Sequence, residues 1–242
     1  MIYVTSDLHG YPLEKFKQIL NEINFSEKDK LYILGDCIDR GKDGINILKW
    51  ISSQKNIELL LGNHEDMLLA CSFLFVPPKK EATDSMDTLT SYMEWMSNGG
   101  METSREMYLL DENECIEIVD YLRECPLFKE IEINGNNFLL VHSGLGNFSE
   151  NKNLNNYTKE ELLWTRPDLE TKYFDNVTVV FGHTPTEYFG KQYEGRAVRT
   201  DTWIDIDIGK GSSGQLILRL DDMKEFYFDD QVVENTDLQN AG

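Results

Sequence analysis

All four histidines of this chain close an apolar run: "VTSDLH" ends at His9, "LLLGNH" at His64, "FLLVH" at His142 and "VVFGH" at His183. Short apolar runs of this kind read as buried strands. In open α/β sheets the polar groups just beyond the carboxyl ends of the strands converge on one crevice. A chain patterned this way is committed to an α/β fold whose chemistry gathers at one edge.

The first third of the chain sets the topology. "IYVT" (2–5), "LYIL" (31–34) and "IELLL" (57–61) are the buried strands. Between the first two, Leu13, Phe16, Leu20 and Ile23 recur at helical spacing after Pro12, which suits a first-turn position; Ile45, Leu48 and Ile51 do the same between the second and third. A β-α-β-α-β order implies right-handed crossovers and a parallel sheet. From about 66 to 126 the pattern turns helical and polar, broken at Pro77-Pro78 and Gly99-Gly100, and reads as a helical insertion or cap within one domain spanning 1–242. Strands then return. "FKEIEINGNNFLLVHSG" reads as a hairpin around "NGNN", "VTVVFGH" as a buried strand, and "TWIDIDIG" with "GQLILRL" as a second hairpin across "GKGSSG". "DDMKEFYFDDQVVENTDLQNAG" supplies one more strand and a polar tail that frays.

Charge narrows the possible partners. With 43 acidic against 23 basic residues the net charge is −20, which argues against nonspecific contact with nucleic acid or an anionic membrane surface. No apolar run approaches the roughly 18 residues of a spanning helix, and the start "MIYVTSDLHG" has no basic segment ahead of a long apolar core, so no secretion signal is expected. Cys37, Cys71, Cys115 and Cys125 form no C-x-x-C pair, and reduced thiols in a cytoplasmic protein are the expectation.

The polar residues at the strand ends suit a metal site. Asp7 and His9, two apart, point to one side and offer a carboxylate oxygen and an imidazole nitrogen to a single cation. Asp36 follows the neighbouring strand and can bridge to a second cation served by Asn63, His142 and His183. Mixed oxygen and nitrogen donors with no thiolate suit Mn, Fe or Zn better than Ca or a structural zinc. Two such ions roughly 3.5–4 Å apart clamp the attacking and leaving oxygens of an in-line displacement and acidify a bridging water. That chemistry is metal-assisted hydrolysis, most naturally of a phosphate ester.

"SDLHG", "GDCIDRG", "GNHE", "VHSG" and "GHTP", in this order, resemble the motifs of the PPP-type metallophosphoesterases. That group includes serine/threonine protein phosphatases, a phage phosphatase and symmetrical diadenosine-tetraphosphate hydrolases. The resemblance covers residues 5–184, with "IDIDIG" similar to the family's closing strand. It implies a four-layer α/β/β/α sandwich, one metal on Asp7, His9 and Asp36, and the other on Asp36, Asn63, His142 and His183. It further implies that Arg40 binds phosphate oxygens and that His64, paired with Asp39, protonates the leaving group. "LLWTRPD" resembles the W-x-R segment of bacterial and phage members and makes Arg166 the candidate second phosphate arginine, with Arg196 and Arg199 as alternatives. "WMSNGG" (95–100) also resembles a bacterial segment, without a chemical role. Glu65 reads as serving the positive end of the following helix, Cys37 as a small buried residue, and Tyr92, Met93, Trp95 and Met96 as helix packing. Ser6 stands where many members have glycine, Leu61 replaces an arginine of the eukaryotic enzymes and "VHSG" replaces their "HGG".

The expectation is a cytoplasmic, Mn-dependent phosphomonoesterase of the serine/threonine protein phosphatase type, acting on a phosphoprotein or small phosphate ester by direct attack of a metal-bridging hydroxide. One alternative is a symmetrical dinucleoside-tetraphosphate hydrolase, although those enzymes typically carry alanine at the position of Asp39. A non-catalytic binding protein on the same fold is the alternative of another class; the retention of all six ligands weighs against it.

Overall fold

Strand β1 (Ile2–Thr5) is followed by α1 (Leu13–Glu22), β2 (Lys30–Ile33), α2 (Gly44–Ser53) and β3 (Ile57–Leu59), the order read from the periodicity. The structure is a computed structural model and describes residues 1–77, 85–211 and 214–229. Helices α3 (Asn63–Ala70), α4 (Ser85–Ser97), α5 (Met101–Tyr108) and α6 (Glu112–Glu124) come next. Then follow β4 (Phe128–Ile133), β5 (Asn136–Val141), α7 (Lys159–Leu163), β6 (Val177–Phe181), β7 (Val198–Arg199), β8 (Trp203–Asp205), β9 (Gly214–Arg219) and β10 (Lys224–Asp229).

Helix α1 buries Phe16, Ile19 and Leu20 on one face, as its spacing demands; Pro12 sits just ahead of the helix as its N-cap rather than in the first turn. The hairpin at β4–β5 turns on Asn134 (φ 52°) and Gly135 (φ 81°), two left-handed residues of the kind a tight two-residue turn requires. The polar tail after residue 229 and the Pro78 half of the Pro77-Pro78 break lie outside the described residues.

Two mixed five-stranded sheets result, one ordered β10-β9-β1-β2-β3 and the other β4-β5-β6-β8-β7. β1, β2 and β3 run parallel to one another, as do β5, β6 and β8. Strand alternation divides the apolar residues among three interfaces. Val4, Tyr32, Leu140, Val180, Leu216 and Leu218 meet between the sheets. Tyr3, Leu31, Ile33 and Ile217, on the opposite face of the first sheet, pack on α1, α2, α3 and α6. Leu139, Val141, Val179 and Phe181, on the opposite face of the second, pack against Leu162 of α7 and the loops around it. The architecture is the expected four-layer α/β/β/α sandwich.

A second expectation, after that for Pro12, is corrected. "TWIDIDIG" and "GQLILRL" do not form a hairpin: β8 belongs to the second sheet, whereas β9 pairs antiparallel with β1 and β10 in the first. The two segments meet face to face, with Ile204 and Ile206 packing against the layer that holds Leu216 and Leu218. Two apolar strands joined by a glycine-rich segment look alike in sequence whether they share a ladder or face each other across a core.

Candidate metal centre

The parallel strands of both sheets end at the same edge, and six residues there adopt the left-handed backbone region: Asp7 (φ 54°), His9 (44°), Asp36 (56°), Asp39 (69°), Arg40 (67°) and His183 (66°). Asp, Asn and His tolerate this region best, and for an arginine it costs on the order of 1–2 kcal/mol. Backbone bonds hold the two leading loops together. The amides of Asp7, His9 and Gly10 donate to the carbonyls of Gly35, Asp36 and Cys37 at 3.1, 2.8 and 2.8 Å. Glu65 accepts the amides of Asp36 (2.8 Å), Cys37 (2.7 Å) and Gly62 (3.0 Å). Gly62 has no room for a side chain, since a Cβ there would overlap Asp36 Oδ1.

Around this frame the six expected ligands come together. His9 Nε2 lies 3.8 Å from both Asp7 Oδ1 and Asp36 Oδ2. On the other side Asp36 Oδ1 is 3.5 Å from His142 Nε2, and Asn63 Oδ1 is 2.8 Å from His142 Nε2 and 3.0 Å from His183 Nδ1. Asp36 therefore faces two donor clusters. Bonds between the sheets fix the geometry: the His183 amide donates to Asp7 Oδ2 at 2.9 Å, and His142 Nδ1–H donates to Leu34 O at 2.7 Å. All six residues are buried.

The donor set fits divalent cations. His9 Nδ1–H donates to Ile38 O at 3.1 Å and His142 Nδ1–H to Leu34 O, so in both neutral rings Nε2 carries a lone pair turned into the site. The lone pair of His142 faces the carbonyl oxygen of Asn63, a contact between two acceptors that a shared cation converts from repulsion to attraction. Donor separations of 2.8–3.8 Å match the edges of a coordination shell with bonds of about 2.0–2.2 Å. His9, Asp36 and His64 also lie within 4.8 Å of one another, but His64 Nδ1 is committed to Asp39.

The electrostatics agree. Burial holds His9 down at about 3, and Arg40 and His64 add to the shift against the pull of Asp7. Burial likewise lowers His142 and His183, leaving neutral imidazoles as ligands. Burial, then Asp7 and Glu65, push Asp36 well above the usual carboxylate range, the signature of crowded carboxylates wanting positive charge.

The other expected residues flank the donors. His64 Nδ1–H donates to Asp39 Oδ2 at 2.6 Å. Arg40 reaches over the site, with Nη1 donating to His9 Nε2 at 2.8 Å and Nη2 to His64 Nε2 at 3.2 Å. Arg166 donates to the carbonyl of His183 at 3.1 Å, whereas Arg199 is held by Glu225 through Nε (2.8 Å) and Nη2 (2.6 Å) on the far edge of the second sheet. Of these two arginines, the structure brings Arg166 to the centre.

Several participants have a part in the centre that the sequence reading did not assign. Ser6 Oγ donates to Asp7 Oδ2. Glu65, at N3 of α3, accepts the N-cap amide of Gly62, yet two of its three bonds go to the Asp36 turn; its place in "GNHE" was its signal. Asp207 is buried, and Asp7 is the second cause, after burial, of its raised pKa; acidic residues inside the apolar "IDIDIG" were the visible hint. The four cysteines are unpaired. Among the described residues no helix is long and apolar enough to cross a membrane.

Residues 1–219 match the calcineurin-like phosphoesterase family. The chain is 27% identical over 194 residues to a symmetrical bis(5'-nucleosyl)-tetraphosphatase of Chromobacterium violaceum, covering 77% of this chain and 57% of that protein. It is 28% identical over 188 residues to the protein of the same name from Haemophilus ducreyi, covering 77% and 59%. It thus spans less than three-fifths of the length of these relatives. Among solved structures, a provisionally assigned diadenosine tetraphosphatase superposes with a TM-score of 0.62 at 16% identity, over 94% of this chain and 92% of that one, a likeness of fold. With two His/Asp clusters at its strand ends and a family model matching nearly its whole length, the chain belongs to the calcineurin-like phosphoesterases.

Proposed function

We propose that the protein is a metal-dependent hydrolase of phosphorus–oxygen bonds, with a symmetrical dinucleoside tetraphosphate as its first-choice substrate. The observation that carries the reading is the meeting of Asp7, His9, Asp36, Asn63, His142 and His183 in two donor clusters that share Asp36. Divalent cations there would polarise phosphoryl oxygens and acidify water near neutral pH. Asp7, His9 and Asp36 would hold one ion, and Asp36, Asn63, His142 and His183 the other, with Mn the first ion to try and Fe or Zn next. Arg40 and Arg166 bring guanidinium groups to this edge and would bind phosphate oxygens in pairs. The choice of substrate is supported by what the relatives are named for, and it displaces the serine/threonine phosphatase expectation from first place.

A second reading, hydrolysis of phosphomonoesters, rests on the 2.6 Å contact between Asp39 and His64. An imidazole oriented by a carboxylate suits protonation of an alkoxide, which departs poorly as an anion, while a nucleoside diphosphate departs readily without help. Rates on diadenosine tetraphosphate, a phosphoserine peptide and p-nitrophenyl phosphate, measured with Mn and again with chelator, separate the two. Preference for the dinucleotide by about 10²-fold or more in kcat/KM, close to 3 kcal/mol, supports the first reading, and the reverse preference supports the second. Chelator-resistant turnover of all three sinks both.

A further inference from the structure

Beyond α3, the helical segment before β4 reaches the centre at the elbow where α4 ends and α5 begins. Trp95, fully buried, donates its indole N–H to Asp39 Oδ2 at 2.9 Å, the same oxygen that accepts from His64. Thr103, also fully buried, accepts the amide of Asp39 on its hydroxyl at 2.8 Å. The carbonyl of Gly99 accepts the amide of Arg40 at 3.1 Å. The glycines of "WMSNGG" make this approach possible. Gly99 is left-handed (φ +103°), with Arg40 Cγ 2.9 Å from where its Cβ would stand, and the Trp95 ring lies where a Cβ on Gly100 would stand. The elbow therefore grips the two consecutive left-handed residues, Asp39 and Arg40, by both backbone amides and by the carboxylate.

Packing alone does not explain this arrangement. Tyr92 and Met93, on the same helix, are exposed, while Trp95, turned inward, spends its polar atom on a carboxylate already bonded to an imidazole. A lone Asp39–His64 contact leaves the carboxylate free to rotate about its last torsion, and a second N–H donor on the same oxygen removes that freedom.

We propose that Trp95 is a positioning residue for proton delivery: with Thr103 it fixes Asp39, and through Asp39 the ring of His64, so that Nε2 faces the departing oxygen. The proposal rests on the reading of His64 as the proton donor. In that step a water oxygen bonds to phosphorus as the bond to the leaving group breaks, with that bond's electron pair left on the departing oxygen. His64 Nε2, which carries no proton while it accepts from Arg40, first takes one from solvent, and this proton moves to the departing oxygen. Nδ1–H stays on Asp39.

The test measures Trp95→Phe, which keeps an aromatic ring and deletes the N–H, and Thr103→Val, which keeps the shape and deletes the acceptor. Thr103→Ser serves as the conservative rescue and His64→Asn as the reference. Each Mn-loaded variant is assayed on aryl phosphates of graded leaving-group pKa. With phenyl phosphate, a poor leaving group, kcat is expected to fall about 10-fold or more in Trp95→Phe and Thr103→Val. With 2,4-dinitrophenyl phosphate it is expected to fall less than about 3-fold, with KM and metal content unchanged and Thr103→Ser near wild type. If His64→Asn is selective for the poor leaving group while Trp95→Phe and Thr103→Val lose both substrates equally or neither, the inference fails and the reading of His64 stands. If His64→Asn shows no such selectivity, or the unaltered protein hydrolyses no aryl phosphate, the reading itself fails. Should Trp95→Phe not fold, the isosteric Thr103→Val carries the comparison.

Discussion

Glu65 Oε2 accepts the backbone N–H of Asp36 at 2.8 Å, so the residue proposed to bridge two cations is aimed by a carboxylate outside both donor clusters. The same side chain takes the amides of Cys37 and Gly62, which makes it the fastening of the β2 and β3 loops. A buried N–H left without a partner costs about 1–3 kcal/mol. Glu65→Ala orphans three and is expected to destabilise the protein by about 3 kcal/mol or more, whereas Glu65→Gln, which keeps one acceptor oxygen, costs about 1–2 kcal/mol. Urea unfolding of the chelator-treated proteins measures this, and equal stability of Glu65→Ala and wild type would contradict the assignment.

The arginines are expected to divide by location. Arg166→Ala and Arg40→Ala each remove a guanidinium from beside the donor clusters and should lower kcat/KM by about 10-fold or more, the worth of a charge-assisted bond to phosphate. Arg199 is spent on Glu225, and Arg199→Ala should stay within about 2-fold. Steady-state kinetics on the best substrate reads all three. A larger loss from Arg199→Ala than from Arg166→Ala would reverse the choice between them.

Glu106 offers a pH test away from the centre. Burial, with Asp43 and Glu102 nearby, pushes its carboxyl up to about 7 from 4.5, against the bonds it accepts from the amides of Ile45 and Gly44. A group raised in the folded state contributes stability that is complete below pH 4.5 and is lost as pH rises toward 7. Glu106→Gln is neutral at every pH, so its stability relative to wild type should improve between pH 5 and pH 8, read from paired denaturation curves. A pH-independent difference would show that the carboxyl is ordinary.

How much of this was legible beforehand depended on whether the cause was local. The β-α-β-α-β opening follows from spacings such as Phe16, Leu20 and Ile23, and the six donors stood out because each ends or follows an apolar run that must become a strand. The partition of β8 and β9 between two sheets was not legible, because alternation records which faces are apolar and not which strand lies alongside. Glu65 was seen as a helix-end carboxylate because its capping role is local, while its bonds to Asp36 and Cys37 span 29 and 28 residues. Trp95 looked like packing because helical periodicity reports burial and says nothing about an indole N–H meeting Asp39 across 56 residues.

The central claim is that one carboxylate, Asp36, organises a pair of metal sites. Counting bound ions by mass spectrometry after loading chelator-stripped protein with Mn, for wild type and for Asp36→Asn alongside hydrolysis rates, tests it most directly. About two ions per chain are expected in wild type, with fewer than about one and a rate reduced by about 10²-fold or more in Asp36→Asn. Asp36→Asn that still binds two ions and turns over at the wild-type rate would contradict the claim.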